Sequence, residues 1–396
     1  MESLVKINLS AEVNIEFESI IREIRSIFNS PTAFVPLHQP FFGGNEKKYL
    51  SETIDSTFVS SVGAFVDRFE TMMQNITGAK FAVATTNGTT ALHLSLLVAG
   101  VKPGDEVITQ ALSFIATPNA ISHAQASPVF IDVDKQNMGL SPQALQSWFE
   151  ANTSVDKNNN CINNKTGKRV SACIPMHSFG FPLYIEEVVQ VCNKYYVPVI
   201  EDAAESLGSY VGLRHTGTFG LMGTFSFNGN KTVTCGGGGV IITNDEHVAK
   251  LAKHLSTTAK IPHKWEFAHD AVAYNYRLPN LNAALACAQL EKLEVILANK
   301  RNLSLIYKDF FAGKNIEFVE EREGTTANYW LNSIILPSRA YQQEFLKYSN
   351  ENGVMTRPVW QLSNQLAMYS SCQHDGLSNS QYLAERVVNI PSSYRP

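Results

Sequence analysis

Long apolar runs, paired cysteines and an excess of positive charge are all missing from this 396-residue chain. No stretch reaches the roughly 18 residues needed to span a bilayer, so a membrane protein is not expected. The opening residues, MESLVKINLSAEVNIEF, lack a basic start followed by an apolar stretch, so no secretory signal is read there. Cys161, Cys173, Cys192, Cys235, Cys287 and Cys372 contain no CxxC pair. Such sparse use points to reduced thiols in the cytoplasm rather than a disulfide framework or a zinc site. Lysine and arginine number 32 against 36 acidic residues, a net charge of −4, which is too little positive charge for a nucleic-acid partner. No fixed-period repeat is visible, which sets aside solenoids and propellers. Neither GxGxxG nor a P-loop occurs, which counts against a generic nucleotide-binding α/β protein.

What is present is a large supply of core-forming residues: 44% hydrophobic and 10% aromatic. That excludes a disordered chain, and the length suits two to three domains. Residues 1–36 contain an amphipathic helix pattern at Phe17, Ile20, Ile21, Ile24 and Ile27, read as a structural arm. From residue 80, short apolar runs alternate with helical patterns: Lys80–Thr85, Glu106–Gln110, Pro128–Val133, Val170–Pro175, Val197–Glu201, Thr224–Phe227 and Gly239–Thr243. The pattern predicts a mostly parallel sheet covered by helices, an α/β fold. The polar stretch 156–169 reads as a surface hairpin or loop. A long helical run, Leu281–Leu305, then leads into short strands and helices. The expected organisation is an arm over 1–36, a large domain over 37–290 and a smaller α/β domain over 291–396.

Three segments carry candidate chemistry. In ATTNGTTALHLSL (84–96) a strand ends, a small turn follows and a helix opens. Unpaired N–H groups and the positive dipole end suit a phosphate, with Gly88 allowing close approach and Thr89 adding a hydroxyl. An ordinary N-cap would look the same. In VIEDAAESLGS (199–209) Glu201 and Asp202 fall at the carboxyl end of a buried strand, where open α/β sheets bind ligands. Asp202 can hold a heterocyclic nitrogen protonated, or simply cap the next helix. In GTFSFNGNKTVTCGGGGVIITND (223–245) Lys231 follows a strand and a small turn. Desolvated there, its amine suits covalent chemistry with a carbonyl; alone, it also fits a surface lysine. Taken together, a phosphate turn, a strand-end acid and a lysine about 30 residues later match the needs of pyridoxal phosphate.

With these segments in view, the chain resembles the DegT/StrS family of nucleotide-sugar aminotransferases, of the type I (aspartate-aminotransferase-like) fold. The resemblance spans roughly 36–396 and rests on SSVGAFVDRFE (60–70), NGTTALHL, PGDEVITQALSFIATPNAI (103–121), SPVFIDVD (127–134), EDAAESLGS, GTFGLMGTFSFNGNK (217–231) and YNYRLPNLNAALACAQLEKL (274–293). SSVGAFVDRFE, PMHSFGFP (175–182), NYWLNSIIL (328–336) and TRPVW (356–360) are similar to the LegC-type subgroup. That likeness implies amination of UDP-4-keto-6-deoxy-N-acetylglucosamine, with L-glutamate as donor, on the way to legionaminic acid or related sugars. Amination at C3 of a dTDP-keto sugar and a catalytically idle cofactor-binding regulator are the alternatives.

The resemblance implies roles. Lys231 matches the cofactor-anchoring lysine and Asp202 the partner of the ring nitrogen. Gly88, Thr89 and Ser226 match phosphate contacts. Asn275, with Arg277 sharing the task, matches a phosphate contact reaching across a homodimer. Phe114 falls where an aromatic ring stacks on the cofactor, and Glu205 beside the ring oxygen, where many members have glutamine or histidine. His177 is a candidate for the sugar pocket, and Lys260 and His263 for the nucleotide. His93 reads as packing. The histidines show no metal-ligand spacing, so no metal is expected.

Overall fold

The computed structural model describes residues 11–395, and its centre is a seven-stranded sheet. The strands are β1 (Phe81–Thr85), β2 (Glu106–Gln110), β3 (Ser127–Ile131), β4 (Val170–Ile174), β5 (Ile200–Asp202), β6 (Met222–Ser226) and β7 (Gly239–Thr243). Ladders give the orders β3-β2-β4 and β5-β6-β7-β1. The parallel bridges Cys173↔Val199 and Met176↔Asp202 join β4 to β5 and unite the two halves. Every strand is parallel to its neighbours except β7, which runs antiparallel between β6 and β1. EVITQ in β2 and GVIIT in β7 are buried at each position. Strands covered on both faces require such continuous burial.

The helices that matter here are α1 (Ala11–Ile27), α2 (Gly88–Val98), α3 (Ala116–His123), α4 (Asn280–Leu290), α5 (Leu293–Phe311) and α6 (Arg339–Glu351). Leu92, Leu94 and Leu96 of α2 pack with Val83, Val107 and Ile241 of the sheet. The single helical run expected over Leu281–Leu305 is two helices, parted at Glu291 and Lys292. Glu291 accepts hydrogen bonds from Asn45, Tyr49 and Arg68, which fixes the break. Along α5 the chain changes core, with Leu293 and Ile296 still in the first. Ala283, Ala284 and Cys287 pack with Phe69 and Met73, whereas Leu303, Tyr307 and Phe311 pack into the C-terminal core.

That second core lies under an antiparallel sheet of β8 (Glu317–Phe318), β9 (Asn332–Ile335), β10 (Arg357–Pro358) and β11 (Val387–Ile390), ordered β8-β9-β11-β10. The N-terminal helix belongs to it. Phe17 of α1 meets Tyr341 and Phe345 of α6 edge-on, at 5.0 and 5.2 Å between ring centres. The Asn-rich segment is a two-stranded hairpin, Thr153–Val155 with Cys161–Asn163. No helix among the described residues is long and apolar enough to cross a membrane.

Candidate active site

The carboxyl ends of β1, β5 and β6 open onto a cavity of about 600 Å³. This is where α/β sheets place their ligands, and the volume suits a small molecule. Lys231, Asp202, Glu205, Gly88, Thr89, Ser226 and Phe114 all line it. The seven residues come from four separate stretches of sequence.

Asp202 ends β5, and strand alternation turns it into the cavity while Glu201 points the other way. Glu201 is fully buried and accepts from the N–H groups of Gly217, Phe219 and Gly220, which shapes the loop leading into β6. Asp202 accepts the Thr117 hydroxyl at 2.6 Å and the Ala204 N–H at 3.2 Å. Burial pushes its carboxyl up from the usual range; those two hydrogen bonds and the nearby charge of Lys231 pull it back. A cationic N–H placed in the cavity would supply what this carboxylate lacks.

Lys231 Nζ donates to Glu205 Oε1 at 3.1 Å and sits 4.0 Å from the centre of the Trp330 ring. Glu205 also accepts the Phe179 N–H at 2.8 Å. Desolvation pushes its carboxyl up to about 7, against the opposing pull of the Lys231 charge and the Phe179 hydrogen bond. The pair is therefore a lysine amine beside an acid that titrates near neutrality.

An anion cradle faces the pair. Asn87 caps α2 by accepting from Thr90 N at 2.9 Å, and Ala91 N is taken by the Asn87 carbonyl. The N–H groups of Gly88 and Thr89 point ahead of the helix, with no intrahelical partner available to them. A Cβ on Gly88 would lie 2.9 Å from Ser226 Cβ, so only glycine lets helix and serine approach this closely. The Ser226 hydroxyl oxygen accepts from Asn228 N at 3.4 Å, which leaves its hydrogen free for an anion. Cradle, amine and buried acid fit pyridoxal phosphate: phosphate at α2, aldehyde at Lys231, ring nitrogen at Asp202.

Several expected residues lie elsewhere. His177 does not line the cavity. Met176 does, and the next residue of an extended segment faces the opposite side. His177 is fully buried; Nδ1 accepts from Leu183 N at 3.2 Å, so Nε2 carries the proton donated to Glu201 at 3.0 Å. Lys260 and His263 are on an exposed excursion with Trp265 and Phe267, away from their own cavity; Lys260 Nζ stacks over Phe267 at 4.0 Å. Asn275 and Arg277 bond each other at 2.8 Å and flank Tyr276, which alone of the three lines the cavity.

Sequence reasoning did not find Thr117, Met176, Asn228, Asn230, Trp330 or Trp360 as site residues, though all but Thr117 line the cavity. His93, read as packing, lines it too and meets Tyr276 Oη at 3.2 Å. Trp360 stacks on Phe179 at 4.8 Å and meets Phe114 edge-on at 6.1 Å, giving the cavity an aromatic wall. NYW and TRPVW were legible as segments, but nothing local marked their tryptophans as lining groups.

Fold and site together define an aminotransferase of the type I class that works with pyridoxal phosphate. The model of the DegT/DnrJ/EryC1/StrS aminotransferase family matches residues 41–395, and the chain belongs to that family. It is 34% identical over 363 residues to a GDP-perosamine synthase from Vibrio cholerae, covering 90% of this chain and 94% of the relative. Among solved structures, the aminotransferase TlmJ from Streptoalloteichus hindustanus superposes with a TM-score of 0.82 at 23% identity, covering 91% of this chain and 94% of that one. PseC of Helicobacter pylori, an aminotransferase involved in pseudoaminic acid biosynthesis, gives 0.81 at 20% identity, covering 90% and 93%. The protein is thus a sugar aminotransferase.

Proposed function

We propose that this enzyme moves the amino group of L-glutamate onto C4 of a nucleotide-linked 4-keto-6-deoxy sugar, with UDP-4-keto-6-deoxy-N-acetylglucosamine as the expected acceptor. The product would feed a cell-surface glycan or a nonulosonic acid such as legionaminic acid. The observation that carries the reading is the convergence of Lys231, Asp202 and the α2 cradle on one cavity. Segment likeness to the LegC-type subgroup supports the acceptor.

Bound pyridoxal phosphate supplies an aldehyde for the donor's amine and a ring that withdraws electrons. Lys231 would hold the cofactor's aldehyde and, as a free amine, would carry a proton between the donor's Cα and C4′. Asp202 keeps the ring nitrogen protonated, with the Thr117 hydroxyl orienting its carboxylate. Gly88, Thr89 and Ser226 would hold the phosphate, and Phe114 would face the ring. When Lys231 no longer carries its ammonium charge, Glu205 loses the cation that favoured ionisation. Its carboxyl would then stay protonated at neutral pH and could donate a hydrogen bond to the ring oxygen instead of repelling it. The same residues run the steps in reverse on the keto sugar.

The working unit is proposed to be a cytoplasmic homodimer. Phe58, Val62, Trp265, Phe267 and Val272 are each largely exposed, apolar side chains that a second copy could cover. In that dimer Asn275 and Arg277 reach the phosphate of the neighbouring copy, and Lys260 and His263 approach its nucleotide.

A second reading, favoured by the name of the Vibrio cholerae relative, gives the sugar a guanosine diphosphate. Incubating the protein with pyridoxal phosphate, glutamate and UDP-, GDP- and dTDP-linked 4-keto-6-deoxy sugars separates the two, with product mass and NMR as readouts. A 4-amino UDP-sugar is expected. Turnover of the GDP-sugar alone moves the assignment to the second reading, a 3-amino product contradicts C4 transfer, and no amination of any sugar refutes the proposal.

A further inference from the structure

Lys300, on α5, is 1% exposed and faces no carboxylate among the described residues. Its ammonium donates to three backbone carbonyls: Ser392 at 2.7 Å, Trp330 at 3.0 Å and Tyr329 at 3.4 Å. A buried lysine without a counter-ion is costly, and burial pushes its amine down to about 7. An apolar side chain of similar length would avoid that cost, so what the three carbonyls gain must matter.

Two of them, those of Tyr329 and Trp330, belong to the turn that delivers Trp330; the third, Ser392, follows β11. Tyr329 has φ +47°, a left-handed backbone that a bulky aromatic rarely adopts. The turn is held against that strain from several sides. Asn328 Nδ2 donates to the carbonyls of Glu205 and Leu207, both at 2.9 Å, and Trp330 N returns to Asn328 Oδ1 at 2.8 Å. The indole N–H of Trp330 donates to the carbonyl of Asn230, immediately before Lys231, at 2.7 Å. Its face lies 4.0 Å from Lys231 Nζ. Nearby, the His38 ring sits 6.5 Å from the indole, and its shielded nitrogens have no hydrogen-bond partner among the described residues. Burial and the charges of Lys300 and Lys231 keep that imidazole neutral. Among the described residues, Glu205 is the only acid within ion-pair distance of the Lys231 amine.

We propose that Lys300 is a positioning residue: it clamps the Tyr329–Trp330 backbone so that the indole stays over the Lys231 amine and aims it at the cofactor's aldehyde. This rests on Lys231 being the anchor proposed above. The chain of contact runs from an ammonium on α5, through two carbonyls, to a tryptophan tied at both edge and face to Lys231.

The test titrates cofactor-free protein with pyridoxal phosphate and reads the yellow absorbance of the lysine-bound cofactor and its circular dichroism. The wild type must turn yellow; if it does not, the anchor assignment fails, and not this inference alone. Lys300→Met and Trp330→Leu are each expected to weaken cofactor linkage by about tenfold, the scale of one lost cation–π contact. Lys300→Gln keeps amide donors for the carbonyls and is expected to fall between Met and wild type; it carries the test if the Met variant does not fold. Because both residues act through one contact, the Lys300→Met, Trp330→Leu double variant should be no weaker than the worse single variant. Unchanged linkage and dichroism in the folded Lys300 variants, or losses that multiply in the double variant, would overturn the inference.

Discussion

Replacing Glu205 by glutamine should make the cofactor-free protein relatively more stable at alkaline pH, although it removes an ion pair with Lys231. The reason is burial. In the folded protein the carboxyl titrates near 7 rather than at its ordinary 4.5, even with Lys231 3.1 Å away. Raising that carboxyl from 4.5 to about 7 corresponds to roughly 3 kcal/mol between its protonated and ionised forms. The raised value means that the folded state holds a proton the unfolded chain has released. The group's contribution is therefore complete below about pH 4.5 and is lost as pH climbs through 7. Glutamine is neutral throughout and cannot lose it. Urea unfolding of cofactor-free wild type and Glu205→Gln at pH 5, 6, 7 and 8, compared at equal slope, reads the difference. The gap should widen in favour of glutamine by up to about 3 kcal/mol between pH 5 and 8. A gap that widens in favour of the wild type would show that the site prefers the carboxylate anion, and the account of Glu205 as a neutral donor would fall.

Other outcomes follow from the same geometry. Lys231→Ala should abolish both turnover and the yellow absorbance, and Asp202→Ala should weaken cofactor binding and lower turnover by orders of magnitude; full-rate activity in either refutes its role. Gly88→Ala forces a Cβ to within 2.9 Å of Ser226, so the first turn of α2 must shift. We expect about 1–3 kcal/mol of lost stability in a thermal or urea melt together with weaker phosphate binding, and a melt identical to wild type would contradict the crowding. Thr117→Val removes the 2.6 Å hydrogen bond to Asp202 while keeping the shape. Since that bond holds the carboxyl down, its loss should raise the Asp202 pKa further and lower kcat about tenfold at neutral pH, with a recovery on going to higher pH; a pH profile parallel to wild type counts against it.

Much of this site was legible because its residues sit in local motifs. The β2 and β7 ranges read directly from sequence, since short Val- and Ile-bearing runs between turn residues fit covered strands, even with Glu106 opening β2. The strand expected over Val197–Glu201 begins three residues later. Pro198 has no N–H to give to a ladder, so pairing there reduces to its carbonyl accepting from Cys173 and one bridge at Val199. Gly88, Asp202 and Lys231 announce themselves through the turns that carry them. Trp330 and Trp360 do not, because each arrives from the C-terminal half and, by composition, looks like a core residue. His177 misled for the opposite reason: its segment ends at the cavity, but the two-residue alternation of extended backbone gives that place to Met176. Lys300 gave no signal at all, since a lysine on a helix is ordinarily solvated.

The packing of α1 has a consequence for how the protein is made. Glu16 accepts a hydrogen bond from Tyr341, 325 positions further along the chain. The apolar stripe of Phe17, Ile20 and Ile24 leaves the ribosome long before the residues that cover it exist. At ordinary translation rates of about 5–20 residues per second, that wait is on the order of half a minute. Until then the stripe is an open target for chaperones, and the newborn chain completes its fold by bringing its last hundred residues back to its beginning.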